Sequence, residues 1–204
     1  MDTAVALVQA YLRMNGYFTV AEYPVLKATS RTPTRTLTDL DILAIRLHRE
    51  PMKHDDLAAV ELDPALGAEL GAADMIVGEV KEGTPRLNPA MRDPAVLEAA
   101  FTRFGCCPPD MAADLVEELL RNGRVLAPAG HVIRTVAFGN PQHTGPMAGW
   151  HTVPLERVIE FMTENLRANW HAVSRTQIKD DVLGLFALME KSRRATGRRR
   201  SATS

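Results

Sequence analysis

Near the start of the chain apolar residues recur at helical spacing. Val5, Leu7, Val8, Tyr11 and Leu12 mark one side of a helix over residues 3–14. Asn15 and Gly16 stop it. Residues 17–26 are rich in aromatic and β-branched side chains and predict a strand. Residues 28–36 are polar with one Pro and predict a turn or loop. A second strand follows over 37–47 and a third over 74–80. The apolar runs in these two strands point to a sheet covered on both faces. The pattern over 48–73 is mixed, with short helices predicted near 55–60 and 64–70.

The second half switches pattern. Pro94 sits at a helix start, and Leu97, Ala100, Phe101 and Phe104 form its apolar stripe. Met111, Leu115, Leu119 and Leu120 predict a helix over 110–121. Strands are predicted at 125–126 and 132–138, and a Gly- and Pro-rich loop at 139–150. An amphipathic helix is predicted over 154–170, with Leu155, Val158, Ile159, Met162, Leu166 and Trp170 inward. A last helix is predicted over 178–191. There is no internal repeat.

The second and third strands carry charge in apolar surroundings. Asp39 and Asp41 precede the run from Ile42, and Glu79 and Lys81 end the run from Met75. An unpaired buried charge is costly, so such groups call for a partner, a metal or a function. Strand side chains alternate with period two, so Asp39 and Asp41 share a face, as do Glu79 and Lys81. If the strands are neighbours, carboxylates from both can converge on one divalent cation. Hard cations such as Mg²⁺ prefer oxygen ligands and keep several waters.

An Asp followed by Glu-x-Lys on a neighbouring strand resembles the metal site of the PD-(D/E)XK nuclease superfamily. That group includes type II restriction enzymes, RecB-like nuclease domains and archaeal Holliday-junction resolvases. The resemblance covers residues 2–105, and Leu40 stands where a Pro often precedes the first Asp. It implies an α/β fold with a restriction endonuclease-like αβββαβ core, a mixed sheet flanked by helices, and here added C-terminal helices. It implies Asp41, Glu79 and Lys81 as catalytic residues. Mg²⁺ or Mn²⁺ would be held by Asp41, Glu79 and the main-chain carbonyl of Val80, with Asp39 and Glu22 as further candidate ligands. The implied activity is metal-dependent hydrolysis of phosphodiester bonds, in DNA first, serving repair, restriction or phage defence. The alternative is a non-catalytic nucleic-acid-binding or assembly module of the same fold.

Composition narrows this picture without redirecting it. The chain has 204 residues, 46% of them apolar and 24% charged, as in an ordinary globular domain. One nuclease-like domain is expected over 1–190, with the motif region at 2–105 and the remaining strand and helices at 106–190. Lys191, Arg193, Arg194, Arg198, Arg199 and Arg200 give residues 191–204 six positive charges and no acid. Since the whole chain carries −1, the rest carries −7. The basic stretch has the composition of a disordered tail. Arg193, Arg194, Arg198, Arg199 and Arg200 are candidate contacts to phosphate backbones. A homodimer or larger assembly is compatible with the family.

No secretory signal or membrane span is visible, and the only cysteines, Cys106 and Cys107, are adjacent and bridge poorly. A reduced, cytoplasmic setting is expected. His143 and His151 flank a Gly- and Pro-containing loop without a companion acid and read as solvated. No phosphate-binding Gly-rich loop or serine nucleophile elbow is present.

Overall fold

The computed structural model describes residues 2–29, 32–47, 62–69, 71–140 and 150–201. Asp2 starts the first helix, α1 (Thr3–Met14), by accepting the Ala4 N–H at 2.9 Å. Two antiparallel strands follow, β1 (Phe18–Thr29) and β2 (Thr32–Arg46). The hairpin is longer than expected. The polar stretch at 28–36 is mostly strand, pairing as far as Thr29 with Thr32. It is threonine-rich, and β-branched side chains suit extended backbone.

Strand β3 (Asp74–Val80) has the predicted bounds, and all seven residues are buried. Near 64–70, where a short helix is expected, the described residues form a 3-10 turn, Pro64–Leu66. The helix expected near 55–60 lies outside the described residues. After β3 come α2 (Pro94–Arg103) and α3 (Ala112–Asn122). Asp93 caps α2, with Pro94 in its first turn. Then follow β4 (Arg124–Leu126), β5 (Val132–Gly139) and an unpredicted four-residue strand, β6 (His151–Pro154). The chain continues through α4 (Leu155–Ala168), α5 (Trp170–Val173) and α6 (Asp181–Ser201).

Among the described residues the result is an α/β architecture with a mixed six-stranded sheet, ordered β1-β2-β3-β5-β4, with β6 also paired to β5. β3 and β5 are parallel, and α2 and α3 lie in the crossover between them. One face of the sheet packs Met75, Val77 and Ile133 against Leu97, Phe101 and Leu119 of α2 and α3. The other packs Ile42, Ile76 and Phe138 against Val8 and Tyr11 of α1 and Val158 and Met162 of α4. The sheet is thus covered on both sides, as the apolar runs predicted.

Some side chains depart from the expected stripes. Ile159 is 45% exposed, and Phe161 is buried instead, edge-on to Tyr11 with ring centroids 5.5 Å apart. Phe104 lies past the end of α2, 40% exposed, against the ring of Tyr23. His151 is a strand residue rather than part of a solvated loop, with Nε2 2.6 Å from the carbonyl oxygen of Ala65. His143 lies outside the described residues. Cys106 and Cys107 are both buried free thiols.

Two buried Tyr–Asp–Arg sets fasten residues 63–66 to the sheet and helices. The Tyr11 hydroxyl donates to Asp63 at 2.9 Å, and Arg157 grips the same carboxylate. The Tyr17 hydroxyl donates to Asp74 at 2.6 Å, and Arg134 donates to Asp74 and to the Leu66 carbonyl. Burial raises both phenol pKa values, so both hydroxyls keep their protons.

The C-terminal stretch corrects the expectation of a disordered tail, because α6 continues to Ser201. Glu190, only 5% exposed, is the reason visible in the side chains. It accepts hydrogen bonds from Arg193 and Arg194, one helical turn on, and from Arg167 of α4. Among the described residues, no helix is long and apolar enough to cross a membrane.

Candidate functional site

The site lies where β2 and β3 stop pairing. Their ladder runs from Arg46 opposite Asp74 to Ile42 opposite Gly78. The next step would set Asp41 opposite Glu79, and no backbone pairing occurs there. Asp41 instead accepts the Val80 N–H on Oδ2 at 2.9 Å. On its other edge β3 stays paired with β5 as far as Val80 opposite Phe138. The Lys81 N–H then donates to the Phe138 carbonyl at 2.9 Å. One edge of β3 is therefore held while the other opens, leaving a fork with charged side chains in it.

Lys81 joins the two carboxylates. Its ammonium contacts Glu79 Oε1 directly and lies 3.8 Å from Asp41 Oδ2. The three differ sharply in exposure: 2% for the Glu79 side chain, 24% for Asp41 and 35% for Lys81. Glu79 forms the floor, and the other two open to solvent. Burial raises the Glu79 pKa, and the nearby Asp41 charge adds to the effect. The Lys81 hydrogen bond and a main-chain hydrogen bond from Asn88 oppose it.

The loop after Lys81 is closely fitted. A Cβ on Gly139 would lie 2.7 Å from the Gly83 carbonyl oxygen and 2.9 Å from the Pro85 nitrogen. Only glycine allows β5 to approach that loop so closely. Asn88 follows, accepting the Ala90 N–H on its side chain at 3.1 Å and thereby capping the turn Pro89–Arg92. Sequence reading missed Asn88, although Asn immediately before Pro at a turn start is a capping signal.

The remaining candidates fall elsewhere. Glu22 is exposed, and its Oε1 accepts the Asp2 N–H at 3.1 Å. Asp39 is exposed and faces Pro24 in the hairpin. Among the described residues, no group of three or more His, Cys, Asp or Glu side chains is placed to hold a metal ion. Glu22 and Asp39 therefore do not complete a carboxylate cluster with Asp41 and Glu79. Arg193 and Arg194 are engaged with Glu190, and Arg194 also lies over the Trp170 ring at 5.0 Å. Arg198, Arg199 and Arg200 belong to the last turns of α6.

Asp41 and Glu79 are the residues here that could hold a small hard cation. Glu79 is a buried carboxylate whose charge is penalised by its surroundings, and Asp41 brings a second carboxylate to the same ammonium. Mg²⁺ needs only one or two carboxylates and fills its remaining positions with water. No protein-family model, curated protein or solved structure matches the chain.

Proposed function

We propose that the chain is a Mg²⁺- or Mn²⁺-dependent nuclease of restriction endonuclease-like architecture, hydrolysing phosphodiester bonds, with DNA as the first substrate class. The observation that carries this reading is the meeting of Asp41, Glu79 and Lys81 at the fork between β2 and β3. The element order α1-β1-β2-β3-α2-α3, followed by strands, agrees with it. Asp41, Glu79 and the Val80 carbonyl would hold the cation. A bound metal polarises a phosphoryl oxygen and lowers the pKa of coordinated water.

The chain's own groups divide the remaining work. Glu79, shut off from solvent, fixes one edge of the site. Asp41 is oriented by the Val80 N–H and so presents a set oxygen. Lys81 is exposed enough to reach a substrate phosphate, where its ammonium would hold the attacking water and offset negative charge. No covalent intermediate on the protein is required.

A cleavage assay on single- and double-stranded DNA and RNA, with Mg²⁺ or Mn²⁺ and an Asp41→Ala control, tests the reading. Metal-dependent cleavage that disappears in the control supports it. Equal cleavage by both proteins, or none on any substrate, overturns it. The second reading, a binding or assembly module, would be recognised by nucleic-acid or partner binding without cleavage. The direct Lys81–Glu79 ion pair favours that reading to the extent that it neutralises the buried carboxylate without a metal.

A further inference from the structure

Asp41 reaches Glu79 and Lys81 because the β1–β2 hairpin changes face beside it. Residues two apart on a regular strand share a face. Leu40 and Ile42 do not: Leu40 packs in the core under α2 and α3, and Ile42 packs in the core under α1 and α4. The opposing strand changes with it, since Tyr23 packs on the first core and Ala21 on the second. Register is preserved through the change, with Ala21 opposite Ile42 and Tyr23 opposite Leu40. The ladder passes over the step between them, which is occupied by Glu22 and Asp41.

Glu22 has φ of 51°, the only positive φ at a non-glycine among the described residues. A side chain rarely adopts this left-handed backbone without compensation. Strained backbone of this kind persists where the surroundings over-determine it, often beside a functional site. Here the strain lies directly across the hairpin from the proposed metal ligand.

We infer that Glu22 is a positioning residue: its left-handed backbone switches the hairpin between faces and so delivers Asp41 to Glu79 and Lys81. The inference rests on the nuclease reading for the purpose of the site, but the face switch itself does not. A regular strand at 22 would keep Leu40 and Ile42 on one face and return Asp41 to the ladder opposite it. The Asp41 carboxylate would then leave the Val80 N–H. The Glu22 carboxylate has a second task, holding the Asp2 N–H at the start of α1. That tether favours glutamate over the glycine that the backbone alone would prefer.

The experiment compares Glu22→Val, Glu22→Ala and Glu22→Gly. Valine strongly resists a left-handed backbone, alanine resists it moderately, and glycine adopts it freely. The first readout is hydrogen exchange at the Val80 amide, which reports its bond to Asp41 without metal or activity. The second is Mn²⁺ affinity by calorimetry. Glu22→Val should speed Val80 exchange by about tenfold or more and weaken Mn²⁺ binding similarly, given the penalty for a left-handed side chain. Exchange at Ile76 and Val77 should stay unchanged. Glu22→Ala keeps the Cβ of glutamate and loses the Asp2 contact, so it should stay within about threefold of the parent chain and serves as the reference for that contact. Glu22→Gly should restore both readouts to within about twofold of the parent chain.

Unchanged Val80 exchange in the valine variant overturns the inference, and if that variant does not fold, faster Val80 exchange in Glu22→Gly than in Glu22→Ala overturns it. So does a glycine variant as defective as valine, because the side chain and not the backbone would then matter. Absence of Mn²⁺ binding by the parent chain would count against the metal reading alone, leaving the exchange comparison to decide the role of Glu22.

Discussion

Asp41 accepts the main-chain N–H of Val80 at 2.9 Å at the step where β2 and β3 cease to pair. The carboxylate takes the place of a backbone acceptor and in doing so is aimed at the fork. This one contact links sheet geometry to proposed chemistry, so a change at Asp41 has two separable effects.

Asp41→Ala should abolish metal-dependent cleavage and also leave the Val80 N–H without its acceptor, at about 1–3 kcal/mol. Asp41→Asn retains a carbonyl oxygen for that N–H but removes the negative charge. It should recover most of the stability and little of the activity. Urea denaturation alongside cleavage assays checks both, and full activity in either variant would remove Asp41 from the site.

Lys81 should behave differently from the carboxylates. Lys81→Ala is expected to lower turnover strongly while Mg²⁺ or Mn²⁺ affinity stays the same or rises, because an ammonium repels a cation. Lys81→Arg should rescue little, since the guanidinium is bulkier and is not a compact point charge. Calorimetry and single-turnover cleavage separate the two quantities. A metal-binding loss equal to that of Asp41→Ala would contradict the assignment.

Glu190 gives the fold an acid-sensitive point away from the site. Arg193 foremost, with Arg167 and Arg194, holds its pKa down to about 2 against the opposing effect of desolvation. The native state then binds fewer protons than the unfolded state between these values. Its contribution to stability is therefore full above the ordinary value of 4.5 and is lost as pH falls towards about 2. Glu190→Gln should flatten melting temperature against pH over that window. An unchanged acid transition in the variant would show that Glu190 does not govern it.

The arginines of α6 should divide into two groups. Replacing Arg198, Arg199 and Arg200 with Ala should reduce the salt dependence of nucleic-acid binding, by roughly 2–3 in log–log slope for duplex DNA if all contact phosphate. Arg193→Ala should instead lower the melting temperature, because Arg193 is bound to Glu190. Binding over a salt series, paired with thermal denaturation, tests the division. Parallel salt slopes for the triple variant and the parent would exclude those arginines from phosphate contact.

Strand β3 was legible in its bounds because its residues are apolar towards both helical layers, and only a sheet covered on both faces needs that. The meeting of Asp41 with Glu79 and Lys81 was legible because the order of the strands brings the ends of β2 and β3 together, and alternation puts Glu79 and Lys81 on one face. The expectation that Asp39 would share the site failed for a reason that alternation cannot express. The hairpin changes face at Glu22 and Asp41, so spacing along the strand no longer decides which way a side chain points. β6 was missed because four residues give too short a pattern, and its strand character depends on pairing with β5. The helical continuation past Lys191 was missed because composition alone does not show a buried glutamate gathering arginines from two helices.

The parallel pairing of β3 with β5 also sets the order in which the site can come into being. The hairpin carrying Asp41 is local, whereas β3 meets β5 only after a crossover containing α2 and α3. Pairings between distant segments form late, because loop closure comes before their reward. A chain still emerging from synthesis, or clipped before Val132, contains Asp41, Glu79 and Lys81 but lacks the strand that holds Lys81 in line. It should bind Mn²⁺ far more weakly than the whole chain, as calorimetry on a fragment ending at Gly123 would show. Under the proposed reading, competence is tied to completion: the charged residues are synthesised early, and their arrangement is withheld until the sheet has closed around them.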